Sequence, residues 1–147
     1  MSEARSSRTQ RARARFDAIV ERVLAQFPDA VRDVLAESPL IVEDAPSVEL
    51  MRTLGMDPRS EDLCGLHSGN AITERSVSGS GELPDTIHIF RRGIVDEAGG
   101  WDVGLDEDGH ACGGEAAVER EIRITLLHEI GHHMGLSEED LERLGYG

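Results

Sequence analysis

The residues best suited to chemistry in this chain of 147 residues are two histidines and a glutamate in the sequence HEIGH. His128 and His132 are four positions apart, so on an α-helix their side chains lie on one face, a turn apart. Both imidazoles can then reach a single metal ion. Glu129, about 100° further round the helix, can reach water beside that ion without binding the ion itself. The spacing predicts one zinc ion bound by His128 and His132, with Glu129 as the catalytic base.

A catalytic zinc ion usually has three protein ligands and a water molecule, so two histidines are too few. Gly135 stands where a helix would end in the left-handed conformation, which allows the chain to turn back towards the histidines. Glu138 follows this glycine by three positions and is the third ligand that the sequence favours, with Glu139 and Asp140 as alternatives. His133 points to another side of the helix and is predicted to pack against or support the site.

This arrangement predicts the hydrolysis of amide bonds. Zinc lowers the pKa of bound water towards neutrality and polarises a substrate carbonyl. Glu129 would accept a proton from that water and deliver it to the leaving amine. The oxyanion also needs a partner, for which Tyr146 and His88 are candidates on reach alone. We therefore expect the substrate to be a peptide or an unfolded protein.

The elements that must position these residues follow from the hydrophobic pattern. The longest helical pattern runs from about Glu115 to Met134 and places apolar residues opposite the histidines, namely Leu126, Leu127, Ile130 and Met134. TIHIF at 86–90 alternates like a strand. Earlier in the chain the pattern predicts an amphipathic helix from Phe16, a second helix after Pro28, a strand at Leu40–Val42 and a short helix at Val48–Leu54. Residues 91–114, rich in glycine and acidic residues, are predicted to be a loop that lacks the ligand spacing of a calcium-binding hand.

The charges of the chain are unevenly distributed. Twenty-nine acidic residues against fifteen arginines give a net charge of −14. Residues 1–15 carry five arginines and one glutamate, a net charge of +4, which leaves −18 for the remainder. We expect residues 1–15 to be a disordered, arginine-rich tail and residues 16–147 to form one domain. An acidic domain repels phosphate backbones, so no nucleic-acid partner is expected.

The composition also bears on the compartment. No apolar stretch is long enough to span a membrane, and no apolar core follows the first arginines as a secretory signal requires. We therefore expect a cytoplasmic protein without a membrane partner, in which Cys64 and Cys112 are free thiols.

The C-terminal sequence RITLLHEIGHHMGLSEEDLERLGYG, with ELPDTIHIFRRGI, IVEDAPS and LCGLHSGNAITERS before it, resembles the small bacterial zincin-like metallopeptidases. The resemblance covers residues 16–147. It implies a minimal zincin fold of the α+β class, in which a small mixed sheet packs on helices that include the HExxH helix. It supports the roles given to His128, Glu129 and His132, and an acidic third ligand at position 138. In larger zincins an edge strand aligns the peptide, for which TIHIF is the candidate here.

The resemblance leaves other functions open. Only twelve residues follow Gly135, so one wall of the cleft of larger zincins is expected to be missing or formed by residues 91–114. The chain could then be a metal-binding or interaction protein with little or no proteolytic activity. A metal-dependent ribonuclease would need histidine near position 138 and would have no need of the glutamate at 129, so Glu129 and the acidic domain count against it. A structural zinc site from Cys64, His67, His110 and Cys112 would have irregular spacing.

Overall fold

A computed structural model describes residues 2–68 and 86–135, together with Ser137 and Glu139. In that part of the chain five helices and five strands follow one another. They are α1 (Ser2–Gln26), α2 (Asp29–Glu37), β1 (Leu40–Glu43), α3 (Val48–Thr53), β2 (Gly65–Ser68), β3 (Thr86–Phe90), α4 (Arg91–Ala98), β4 (Gly104–Leu105), β5 (Ala111–Cys112) and α5 (Glu115–His133). The predicted α+β class is confirmed.

The main sheet has three strands in the order β1-β3-β2. β3 runs parallel to β1, with His88 opposite Ile41, and antiparallel to β2, with Ile89 opposite Gly65. The predicted mixed sheet is therefore confirmed. TIHIF, the candidate edge strand, is instead the central strand, since its backbone already pairs with a neighbour on each side. It cannot align a peptide by main-chain pairing.

The hydrophobic core lies between one face of this sheet and the helices α1, α4 and α5. Ile87 and Ile89 of β3 are fully buried against it. The helices contribute their apolar stripes, which are Phe16, Ile19, Val20 and Val23 of α1, Ile94 of α4, and Val118, Ile122, Leu126 and Ile130 of α5. The core thus packs against the side of α5 that is opposite its histidines. Met134, expected on the packed side, is 46% exposed because α5 ends just before it.

Residues 2–15 differ from the predicted disordered tail, because α1 is one continuous helix from Ser2. Arginine and alanine, which alternate over residues 11–15, both favour helix. The end of the segment is also held by acidic partners. Arg13 pairs with Asp44, and the Arg15 Nε atom lies 3.3 Å from a carboxylate oxygen of Glu115.

Residues 91–114 differ from the predicted loop. Arg91–Ala98 form α4, which ends at Gly99 with a φ of 99°, and β4 pairs with β5 in a short hairpin. The hairpin leads into the first turn of α5, about 20 Å along the helix axis from His128 at 1.5 Å per residue. Its strands therefore lie near the end of α5 that is remote from the histidines.

In the residues described, no helix is both long enough and apolar enough to cross a membrane.

Candidate metal centre

The two histidines predicted as ligands converge on one point beside the last turns of α5. Their Nε2 atoms lie 3.1 Å apart, and the rings meet edge to face at 77°. Both side chains are half-buried. The four-residue spacing on a regular helix accounts for the convergence, because it stacks the two side chains a turn apart.

This separation is suited to a zinc ion. Zinc–nitrogen bonds are about 2.0–2.1 Å long, so two nitrogens bound to one tetrahedral ion lie about 3.3 Å apart. The observed 3.1 Å between the Nε2 atoms of His128 and His132 is close to that value. Imidazole nitrogen is also a ligand that zinc favours. The histidine pair therefore fits the metal.

Glu129 completes the group from a more buried position. Its side chain is only 6% exposed, and one of its carboxylate oxygens lies with a ring nitrogen of each histidine in a set of atoms that are all within 4.8 Å of one another. A carboxylate so close to the histidine pair can hold or move a proton there. The structure thus brings together the three residues that the sequence grouped.

Strand β2 covers Glu129 by an unusually close approach at Gly65. A β-carbon at position 65 would lie 2.8 Å from Cγ2 of Thr125 and 3.0 Å from Cγ of Glu129. Only a residue without a side chain allows this contact. Gly65 is not among the residues predicted from the sequence, although a glycine inside a short strand is a signal of close backbone approach.

The turn after α5 has the predicted form. Gly135 adopts a left-handed φ of 87°, and its N–H donates to the carbonyl of His132 at 2.9 Å. Glu138 and Asp140 lie outside the described residues, so Glu138 stays a prediction as the third ligand. Glu139 is exposed, and among the described residues it is not part of the group around the histidines.

His133 lies away from the histidine pair, as its position on the helix predicts. It is fully buried, and the ring contacts the Ser38 hydroxyl at 3.3 Å from Nδ1 and 3.4 Å from Nε2. Ser38 joins α2 to β1, so this contact fixes the end of α5 to the beginning of the sheet. His133 therefore supports the helix next to His132.

His88, a candidate for the oxyanion, faces away from the site. Directly paired residues of neighbouring strands project to the same side of a sheet, and successive residues alternate. Gly65, opposite Ile89, lies against α5, so Ile87 and Ile89 face the helix and His88 faces the other side. His88 Nε2 lies 3.5 Å from a carboxylate oxygen of Glu43 there. Tyr146, the other candidate, is outside the described residues.

The alternative zinc site is not assembled among the side chains that the structure describes. Neither Cys64 nor Cys112 belongs to a group of potential ligands there, and the side chain of His67 is not among those described. Burial, reinforced by Glu97, raises the pKa of the Cys64 thiol to about 12. A thiol that resists deprotonation is a poor zinc ligand.

A second group of potential ligands, Asp106, Asp108 and His110, lies at the tip of the β4–β5 hairpin and is exposed. The Asp106 carboxylate accepts backbone N–H bonds from Asp108 at 3.0 Å and His110 at 2.8 Å. These bonds explain the cluster as part of the hairpin turn.

Comparison with known proteins identifies a family. The sequence profile of the family described as zincin-like metallopeptidase matches residues 35–147, which is most of the chain and includes the whole histidine group. The chain therefore belongs to the zincin-like metallopeptidase family. No curated protein matches the chain.

Proposed function

We propose that the protein is a zinc-dependent peptidase that cleaves peptides or unfolded proteins. The observation that carries the proposal is the convergence of the His128 and His132 Nε2 atoms, 3.1 Å apart, beside the buried carboxylate of Glu129. Family membership supports the same reaction class. In this proposal the two histidines and Glu138 hold one zinc ion, and the remaining residues act around it.

Zinc, when bound, activates water and polarises the scissile carbonyl. In this proposal the Glu129 carboxylate would accept a proton from the attacking water and pass it to the leaving amine. The core holds the backbone of α5, and Gly65 presses β2 against the Glu129 side chain, so the base has little freedom to turn away. The chain thus contributes a fixed proton carrier and a fixed pair of ligands.

For the substrate we propose main-chain pairing with the outer edge of β2. In the part of the chain described, β2 pairs only through the edge that faces β3. This strand also lies directly on α5 at Thr125 and Glu129. An extended peptide that adds to the edge of β2 would run beside the catalytic base, a recognition mode that sheets commonly offer.

The test is digestion of a peptide library by the wild type and by Glu129→Gln, each loaded with zinc. Loss of a general base typically lowers the rate about 10²–10⁴-fold, and the substitution should leave zinc content unchanged. Equal cleavage by both proteins would contradict the role of Glu129. Full zinc loading without cleavage by the wild type would favour the alternative, a metal-binding or interaction protein.

The third ligand is tested separately by zinc affinity. Glu138→Gln should weaken zinc binding strongly, because one of three protein ligands is lost, whereas Glu139→Gln should leave it unchanged. Weaker zinc binding in Glu139→Gln alone would make Glu139 the third ligand, and weaker binding only in Asp140→Asn would make it Asp140.

A further inference from the structure

A basic and aromatic surface lies on α1, apart from the histidine group. Arg8, Arg11 and Arg15 follow one another at i, i+3 and i+7, which places them within about 60° of one another around the helix. Trp101, the one tryptophan of the chain, packs beside them, with the Arg15 guanidinium 4.5 Å from its ring centroid. We call these four residues the arginine–tryptophan surface.

Arg8 and Arg11 differ from the arginines that hold α1 in place. Arg13 and Arg15 pair with acidic residues of the domain, whereas Arg8 and Arg11 are exposed and form no ion pair with any described residue. Three guanidinium groups at i, i+3 and i+7 repel one another and destabilise the helix that bears them. An anionic partner would remove this repulsion.

Two hollows flank Trp101 and give the surface a shape. One, of about 400 Å³, lies among the three arginines, Ala12 and Trp101. The other, of about 230 Å³, runs between α1 and α4, with Ala12, Phe16, Val95 and Trp101 among its walls. The first hollow has only arginines as charged wall residues. The second exposes mostly apolar surface, and its walls also hold charged residues of both signs, namely Arg13, Asp44, Arg91, Arg92 and Asp96. The two hollows meet at Ala12 and Trp101.

We propose that the arginine–tryptophan surface binds a short acidic segment of a partner polypeptide. Carboxylates of the segment pair with Arg8 and Arg11, and an apolar side chain enters the hollow between α1 and α4. The volume of that hollow and its apolar wall residues Phe16, Val95 and Trp101 suit a side chain. Nucleic acid and anionic membranes present many phosphate groups over a large area. Such a partner would also approach the rest of the chain, whose net charge is −18, and would be repelled.

The surface is independent of the proposed catalysis. Arg15 pairs with Glu115 in the first turn of α5, about 20 Å along the helix axis from His128. The two sites share no residue. Glu129→Gln should therefore bind the acidic segment as well as the wild type does, and failure of one proposal leaves the other standing.

The test uses a short, dye-labelled peptide in which glutamates flank a Phe-Leu pair, and a matched peptide with glutamine in place of glutamate. Binding is followed by fluorescence anisotropy and by the emission of Trp101. The acidic peptide should bind, change the Trp101 emission and dissociate as salt is added, whereas the glutamine peptide should not bind. Equal binding of the two peptides would overturn the proposal.

The matched variants are Arg8→Glu with Arg11→Glu, and Arg52→Glu with Arg59→Glu as the control. Both pairs reverse two exposed arginines and change the net charge equally. The first pair should weaken the affinity for the acidic peptide by about tenfold or more, and the control pair should change that affinity less than about twofold. Equal effects would show attraction to overall charge only and overturn the proposal. Tighter binding of a single-stranded oligonucleotide or of anionic vesicles, lost in the first pair, would overturn it in favour of a phosphate-bearing partner.

Discussion

Glu129 and the two histidines beside it occupy different environments on the same helix. The histidines are half-buried and can accept an ion from outside, whereas the Glu129 side chain is 6% exposed and lies under β2. The difference follows from helix geometry, because Glu129 is rotated from the histidines towards the sheet. The Glu129 carboxylate is therefore held close to the histidine pair and shielded from bulk water.

Cys64 gives a prediction at the residue scale that depends on pH. Its thiol pKa is raised to about 12, first by burial and then by nearby Glu97 and Glu121. At pH 8 the folded protein should therefore carry about a thousandfold less Cys64 thiolate than an ordinary thiol, and only the thiolate reacts. In a Cys112→Ser variant, reaction with a disulfide reagent should be slow when folded and fast in denaturant. Rapid reaction of the folded variant would contradict the burial of Cys64.

The contact between β2 and α5 is the element-scale feature on which the site depends most. Gly65→Ala would place a methyl group 2.8 Å from Cγ2 of Thr125 and 3.0 Å from Cγ of Glu129. One of these side chains must move, and overpacking of this kind costs about 1–3 kcal/mol. We expect cleavage to fall about tenfold while zinc content stays unchanged, since neither histidine is touched.

The control for that prediction is Gly104→Ala in β4. A β-carbon at Gly104 meets nothing within 4 Å and its φ is not left-handed, so neither cleavage nor the unfolding free energy should change. If Gly65→Ala cleaved peptides as fast as Gly104→Ala, the packing of β2 on Glu129 would not affect the rate of cleavage.

The elements that could be predicted from the sequence are those with a strong local pattern. α5 has an apolar stripe and a terminal glycine, and β3 alternates over five residues, so the histidine group was found from spacing alone. α4 was missed because it has few apolar residues and contains Gly93. There a β-carbon would lie 2.3 Å from the Leu63 carbonyl oxygen, a contact set by tertiary packing. β2 also depends on tertiary contacts, because its four residues form a strand only through pairing with β3.

On the scale of the whole molecule, α1 is part of the fold although the family match begins at residue 35. Four of its apolar residues are at most 4% exposed, and Arg91 binds Asp17 of α1 through two hydrogen bonds of 3.0 Å. The matched region therefore does not contain the complete core.

The prediction at this scale is that removal of α1 packing destabilises the entire protein. Phe16→Ala should lower the unfolding free energy by about 3–5 kcal/mol, because its side chain is fully buried. A chain that begins at Leu35 should lose cooperative unfolding in urea. The matched change Arg8→Ala, on the exposed part of α1, should leave stability within about 0.5 kcal/mol of the wild type. Cooperative unfolding of the shortened chain would show that α1 is dispensable.

Zinc binding by His128 and His132 can be measured as the zinc content of protein purified without a chelator. The wild type should hold one zinc ion per chain, and His132→Ala should lose it, because it removes one of two converging imidazoles. His110→Ala, in the exposed hairpin cluster, should keep the full content. A wild type that binds no zinc at micromolar concentrations, or a His132→Ala variant that retains it, would show that the histidine pair does not hold zinc.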